Sequence, residues 1–426
     1  MPGHKGVSFL GCEGLDITEI SGADSLYGAD GIILKSENNA SKLFGTKRTL
    51  YSTEGSSQCI RAMLFLAKLN SKATGKRPKI VAARNVHKAF ITAAALLDFD
   101  IVWLYPENKN YSLCRCEVSA DKLNETLNSL SEPPCAVYVT SPDYLGGQSD
   151  IKALAETAHK NNTLLLVDNA HGAYLHFCEN SGHPMDCGAD LCCDSAHKTL
   201  PVLTGGAYLH IGKNTDDILC ENARRALALF GSTSPSYLIL QSLDFANKYI
   251  ENNYSQKLTN TINKLNLLKS ELKESGFSVE DSDALKLTVN AYKSGFSGYE
   301  LADILRKGNI ECEYADPDFS VMMFTPENSK EDFDRIRKAF NNINIREPIK
   351  KSKLIFKPTE TRCSVREAML RPSETISIEN AVGRVAASPA VSCPPAVPIV
   401  ISGEVITENM VKIFKYYGFK TVEVIK

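Results

Sequence analysis

Residues 163–172 read TLLLVDNAHG and residues 190–200 read DLCCDSAHKTL. Each is a short apolar run that ends abruptly in polar chemistry: Asp168-Asn169-Ala170-His171-Gly172 after the first, Asp194-Ser195-Ala196-His197-Lys198-Thr199 after the second. Runs of this length bounded by polar residues have the pattern of buried strands at 163–167 and 190–193. Further runs of the same kind stand at Lys79–Ala83, Asp100–Leu104, Ala136–Thr140 and 206–211. Amphipathic helical patterns occupy 56–69, 86–97 and 150–159, the last opened by the Ser149/Asp150 capping pair. Strands alternating with helices predict a mostly parallel central sheet covered by helices on both faces.

Downstream, a Ser/Pro segment at 232–237 leads into a helical stretch over 238–275, read as one connecting helix. The pattern then predicts a strand at 285–291, a helix at 299–307, strands at 310–315 and 320–324, and a helix at Lys330–Asn341, a smaller α+β unit of ferredoxin-like order. From 346 the chain turns basic and proline-punctuated, then runs to short strands and a helix near 408–417. The expected division is an N-terminal segment at 1–35, a large domain at 36–237, a connecting helix with the small domain at 238–345, and a C-terminal lobe at 346–426.

Composition narrows the partner. In 426 residues, 48 Lys and Arg against 50 Asp and Glu leave a formal charge of −2, so no global field draws the chain to nucleic acid or an anionic membrane. A small-molecule ligand is expected. Thirteen scattered cysteines without a Cys-x-x-Cys pair, and no apolar stretch of bilayer-spanning length, point to a reduced, cytoplasmic protein.

In open α/β sheets, ligands gather beyond the carboxyl ends of the strands. There the sequence places Asp168 and His171 on one rim position and Lys198 on another. A lysine able to capture an aldehyde as a Schiff base, and an aspartate able to keep a ring nitrogen protonated, are the two requirements of a pyridoxal 5′-phosphate site. The cofactor's phosphate needs backbone N–H groups and hydroxyls. Gly55-Ser56-Ser57 opens a helix, whose first turn carries roughly half a positive elementary charge, and Ser195 and His197 flank the lysine. His87, just after the strand at Lys79–Ala83, offers a flat ring to stack on the cofactor. Singly, Asp168 reads as a turn cap, His171 as a core histidine and Ser56 as part of an ordinary helix start. Jointly they read as one site, because a lysine placed immediately after a buried strand has no structural role of its own.

At this point the chain resembles the Orn/Lys/Arg decarboxylases, pyridoxal-phosphate enzymes of the aspartate-aminotransferase fold. The resemblance lies in Pro2-Gly3-His4-Lys5-Gly6, Asp16-Ile17-Thr18-Glu19, Glu54-Gly55-Ser56-Ser57, Arg84-Asn85-Val86-His87-Lys88, Thr140-Ser141-Pro142, Asp168-Asn169-Ala170-His171-Gly172 and Ser195-Ala196-His197-Lys198-Thr199-Leu200, continuing to Gly403-Glu404-Val405-Ile406. It implies that Lys198 is the Schiff-base lysine, Asp168 the partner of the ring nitrogen and His87 the stacking group. Phosphate contacts are implied for Ser56, Ser57, Ser195 and His197, and a place beside the ring for His171. Members of the family carry a helix ahead of the Pro-Gly-His-Lys motif, so the resemblance puts Met1 at an interior position. It also places the chain in the short branch without an N-terminal regulatory wing, and implies a site formed between two subunits, hence a homodimer or a higher even oligomer.

The expected reaction is α-decarboxylation of a basic L-amino acid to a di- or polyamine, with arginine first and lysine or ornithine next. Lys198 or His171 is the expected proton donor to Cα. A desolvated distal cation needs an acid; Glu404 is the first candidate and Ser141 a further substrate contact, while Glu313 and Asp316 are other candidates that read more readily as solvated surface acids. An aminotransferase or another lyase would use the same lysine and aspartate, but no arginine clamp for an α-carboxylate stands out. A non-catalytic paralogue that binds a decarboxylase subunit is the reading from another class. A zinc site of His171, His176, His183 and Cys187 matches no standard spacing.

Overall fold

The computed structural model describes residues 2–71, 77–107, 112–350, 354, 356–390 and 396–426. The large unit runs α1 (Ile32–Leu43), β1 (Arg48–Ser52), α2 (Gly55–Asn70), β2 (Lys79–Ala83), α3 (Lys88–Leu97), β3 (Asp100–Leu104), α4 (Ala120–Asn128), β4 (Ala136–Thr140), α5 (Ile151–Lys160), β5 (Leu164–Asp168), β6 (Leu191–Asp194), the single turn α6 (Ala196–Thr199), β7 (Ala207–Ile211) and α7 (Asp217–Ala228). Its seven strands form one sheet in the order β1-β7-β6-β5-β4-β2-β3. Strands β2 to β6 pair in parallel; β7 is antiparallel to both of its neighbours.

Because side chains alternate along a strand, the apolar runs feed two cores. Ile80, Ala82, Ala136, Tyr138 and Leu166 face a layer built from α2, α3 and α7. Val81, Ala83, Val137, Val139, Leu165 and Val167 face α4 and α5. A sheet buried on both faces requires such near-continuous apolar strands, and it leaves the strand ends as the place where polar side chains gather.

The stretch over 238–275 is two helices, α8 (Tyr237–Glu251) and α9 (Tyr254–Glu274), rather than one. Asn253 between them adopts φ 59°, a left-handed conformation that asparagine tolerates better than most residues. The small unit adds β8 (Val279–Glu280), β9 (Lys286–Asn290), α10 (Gly298–Lys307), β10 (Tyr314–Ala315), β11 (Phe319–Met323) and α11 (Lys330–Asn341). Its sheet is antiparallel in the order β10-β11-β9-β8, two hairpins joined by the β9–β11 pair, instead of the ferredoxin-like order. The strand expected over 310–315 shrinks to its last two residues. The C-terminal lobe holds α12 (Val365–Leu370), β12 (Ser373–Ser377), α13 (Glu408–Tyr416) and β13 (Thr421–Ile425), with β12 and β13 paired antiparallel. It docks on the large unit beside β2: Lys88 N–H donates to the Ala396 carbonyl at 2.9 Å, and Arg366 reaches the Ala95 and Leu96 carbonyls. No helix among the described residues is long and apolar enough to cross a membrane.

Candidate active site

Beyond the ends of β2, β4, β5 and β6 lies a cavity of about 250 Å³ lined by Gly55, Ser56, Ser57, His87, Asp168, His171, Ser195, His197 and Lys198. Nine residues singled out in the sequence therefore meet in one place. Asp168 ends β5 and is almost fully buried; its carboxylate accepts hydrogen bonds from Ala170 N–H and Tyr138 Oη–H, each at 3.2 Å. Burial pushes its pKa above the ordinary carboxylate value, with the Ala170 N–H and the Lys198 charge acting against that rise. Lys198 sits on α6, where its Nζ is 2.8 Å from His171 Nε2 and 5.1 Å from the centre of the Tyr144 ring.

The histidines around Lys198 are held neutral. Burial, reinforced by the lysine charge, drives His171 well below its usual value and His87 down to about 4. His197 is lowered for the same two reasons, while its Nδ1 contacts the Gly206 carbonyl at 3.0 Å. His87 also caps α3: its Nδ1 accepts from Ala89 N–H at 3.1 Å, which fixes the ring at the mouth of the helix. At the opposite wall no side chain caps α2, so its first-turn N–H groups keep their capacity for an anion. Gly55, at φ +71°, makes the turn into that helix, and Ser195 Oγ donates to Ser56 Oγ at 2.9 Å.

Below this rim, Asp194 Oδ2 is shared by His183 Nε2 at 3.0 Å and His210 Nε2 at 3.1 Å, and Asn169 donates to Oδ1 at 2.7 Å. All three ring and carboxylate groups are fully buried, and the arrangement ties the turn after β5 to the turn after β6. His171, by contrast, faces Lys198, so it is not grouped with His176 and His183. The carboxylates of Asp186 and Asp194, and not Cys187, gather with those histidines.

Two expected substrate residues are not in the cavity wall. Ser141 Oγ accepts from Ser149 N–H at 3.0 Å and fastens the loop after β4. Glu404 is corrected more firmly: Arg84 Nη2 lies 3.2 Å from its Oε2, and Ile401 N–H donates to the same oxygen at 2.8 Å. Its charge is already matched within the chain, at the joint between the C-terminal lobe and β2. Removing one member of a buried pair strands the other, at a cost of about 3–5 kcal/mol. Glu404→Ala is therefore expected to lower unfolding stability by roughly 3 kcal/mol or more in a urea melt. A Glu404→Ala protein that melts like wild type but has a raised KM would restore the substrate role. Asp316 is not a solvated surface acid either. It is buried, accepts from Tyr314 Oη–H and from the N–H groups of Asp318 and Phe319, and its pKa is pushed up to about 6. Glu313 stays half-buried.

The sequence reading missed Asn85, Cys114, Thr140, Asp143, Tyr144 and Val397, all of which line the cavity. Three of them, Thr140, Asp143 and Tyr144, follow or end β4, so the strand-end rule applied at that run would have found them.

The residues present fit pyridoxal phosphate. A buried carboxylate, a lysine, an uncapped helix start and flanking hydroxyls surround one cavity. Into the same wall are set three buried polar atoms with no hydrogen-bond partner among the described residues: Asn85 Oδ1, Thr140 Oγ1 and His171 Nδ1. Buried polar atoms are rarely left unpaired unless a ligand or water completes them.

Fold and site together define a pyridoxal-phosphate enzyme. The major-domain family described as Orn/Lys/Arg decarboxylase matches residues 8–287, its C-terminal domain matches residues 350–423, and the chain belongs to this family. Among relatives, an arginine decarboxylase of Bacillus subtilis (strain 168) is 29% identical over 450 residues, covering 97% of this chain and 89% of that one. A solved lysine decarboxylase, LdcF of Francisella novicida, superposes with a TM-score of 0.81 at 18% identity, covering 100% of this chain and 78% of that one. A serine palmitoyltransferase of Sphingomonas wittichii shares the fold more distantly, at a TM-score of 0.57 and 15% identity, with 74% and 76% covered. The chain is thus a pyridoxal-phosphate-dependent decarboxylase acting on a basic amino acid.

Proposed function

We propose that the protein decarboxylates L-arginine, with Lys198 as the residue that holds the cofactor covalently and Asp168 as the partner of its ring nitrogen. The observation that supports these roles is the meeting of Lys198 Nζ, His171 Nε2 and the buried Asp168 carboxylate in one cavity. Arginine is favoured over lysine because the relatives with that printed activity are 29% and 27% identical to this chain, against 18% for the lysine decarboxylase LdcF.

When bound, pyridoxal phosphate supplies the electron sink that receives the pair left by the broken Cα–carboxylate bond. The chain's own residues do the rest. The Ser56 and Ser57 N–H groups and hydroxyls, with Ser195 and His197, hold the phosphate, and His87, kept neutral by burial, stacks on the ring without adding charge. Asp168 keeps the ring nitrogen protonated, since a buried carboxylate is stabilised by a cation beside it. His171 accepts a hydrogen bond from the Lys198 ammonium through Nε2, so the pair holds a transferable proton in the cavity. Tyr144, whose ring lies 4.5 Å from that of His171, shields the proton from water on one side.

A homodimer is part of the same reading. It is supported by exposed apolar side chains, Leu15 at 59%, Ile32 at 61% and Phe245 at 57%, that line a cavity of about 830 Å³ against α1 and α8. A cytoplasmic site of action is supported by the free thiols, since no disulfide joins the described cysteines.

The test is direct. Protein loaded with pyridoxal phosphate is incubated separately with arginine, lysine and ornithine, and carbon dioxide and amine are measured. Stoichiometric agmatine and carbon dioxide from arginine, faster than from the other two, is the expected result. Turnover confined to lysine or ornithine overturns the substrate, and formation of a keto acid without carbon dioxide overturns the reaction.

A further inference from the structure

A distal ammonium or guanidinium that enters a closed cavity needs an acid there. The cavity wall contains two carboxylates, Asp168 and Asp143. Asp168 is committed to the ring nitrogen in the reading above, and the three acids nominated from sequence are paired, turn-bound or outside the lining. Asp143 remains. We infer that the Asp143 carboxylate binds the distal cation of the substrate and sets the enzyme's preference for basic amino acids, an inference that rests on the decarboxylase reading.

The loop after β4 is built around this side chain. Asp143 Oδ1 accepts from Leu145 N–H at 2.8 Å and from Gly147 N–H at 2.9 Å, and Asp143 N–H donates to the Gly147 carbonyl at 2.9 Å. A Cβ at Gly147 would stand 2.5 Å from Asp143 Oδ2, so only glycine allows the backbone to approach this closely. One oxygen is thus occupied by the loop. The other, Oδ2, makes no hydrogen bond among the described residues, although Asp143 is only 4% exposed.

The nearest cations are engaged elsewhere. Lys286 Nζ donates to the Asp143 carbonyl at 2.7 Å and lies 3.6 Å from Asp283 Oδ2, while Arg115 pairs with Glu280 at 2.6 Å. They act on the Asp143 carboxylate at longer range, and burial still raises its pKa to about 6. A carboxylate in that condition gains from a cation that enters the cavity. The next residue, Tyr144, lies against the His171 ring with centroids 4.5 Å apart and against Tyr314 at 5.7 Å. The Tyr144 ring, which lines the cavity and is backed by Tyr314, sets an aromatic surface beside the acid that suits a guanidinium or an alkylammonium.

Asp143→Asn is the discriminating variant, because asparagine keeps the Oδ1 acceptor for both loop N–H groups and removes only the charge. Holoenzyme of both forms is assayed with arginine and with citrulline, its uncharged counterpart, and inhibition by agmatine is measured at equilibrium. The variant is expected to lose on the order of 30-fold or more in kcat/KM for arginine, mostly through KM, with agmatine affinity falling in step. Citrulline turnover and cofactor absorbance should be unchanged, and the melting temperature should not fall, because burial raises the Asp143 pKa to about 6 and an amide is free of that cost at neutral pH. An equal loss on both substrates, or none on arginine, overturns the inference and leaves the decarboxylase reading standing. Should the variant not fold, wild type decides: agmatine must inhibit far better than a neutral amide of the same length, and equal inhibition overturns the assignment. A wild type that decarboxylates no basic amino acid overturns the reading beneath it as well.

Discussion

Lys198→Ala is expected to remove decarboxylation by on the order of 10³-fold or more while the protein remains folded. The side chain stands on the one-turn helix after β6, and its amine contacts His171 and the face of Tyr144, so its loss leaves a small polar space and breaks no core packing. Two further measurements separate a lost catalytic amine from a damaged fold. The variant should bind pyridoxal phosphate without the visible absorbance of a lysine-linked cofactor. Its pocket histidines should also titrate differently. In wild type the lysine charge adds to burial in lowering His87, to about 4, and in lowering His171 and His197. Removing a positive neighbour makes each imidazolium easier to form, so all three values should rise in cofactor-free Lys198→Ala, as followed by NMR. Activity equal to wild type would remove Lys198 from the mechanism.

How well the sequence announces this site depends on what each residue must satisfy locally. Asp168 is legible because it stands directly after an apolar run, and Lys198 because it follows another within one short polar segment, so both fall beyond strand ends. His87 is legible for the same reason, although the helix it caps begins two residues later, at Lys88, than the pattern at 86–97. Strand β1 is illegible: Arg48–Ser52 has no apolar run, and it becomes a strand only by pairing along its full length with β7. Helix α1 is hidden in the same way, since only Ile33, Ser36, Glu37 and Ala40 are buried, and two of those four are polar. Glu37 is buried because Arg224, from α7, meets it there. No local pattern encodes such a partner. Glu404 fails as a candidate for the same physical reason, its partner Arg84 being 320 residues away along the chain. Val397 reaches the cavity only because the C-terminal lobe docks beside β2. Local propensity and periodicity record what a segment does by itself; charges that are neutralised across the fold are visible only once the fold is formed.

Asp168→Asn separates the charge of the ring-nitrogen partner from its shape. The amide fills the same space between Tyr138 and Ala170 but cannot favour a protonated ring nitrogen, so kcat is expected to fall on the order of 10²-fold or more, with substrate KM little changed. The same substitution should act on stability with a sign that depends on the cofactor. In cofactor-free wild type, burial holds the Asp168 carboxyl protonated to a higher pH than in the unfolded chain, where it titrates near ~4. Between those two values the folded state binds more protons than the unfolded state, so this residue's contribution to stability falls as pH rises. Asparagine does not titrate. Without cofactor, Asp168→Asn should therefore melt at the same temperature as wild type near pH 4, and above wild type once the pH exceeds the raised value. Loading pyridoxal phosphate supplies a cation at the ring nitrogen that only the carboxylate can use, and the order of melting temperatures should reverse. If the variant is less stable than wild type at every pH and with or without cofactor, Asp168 is a structural hydrogen-bonding residue and its charge has no part in the chemistry.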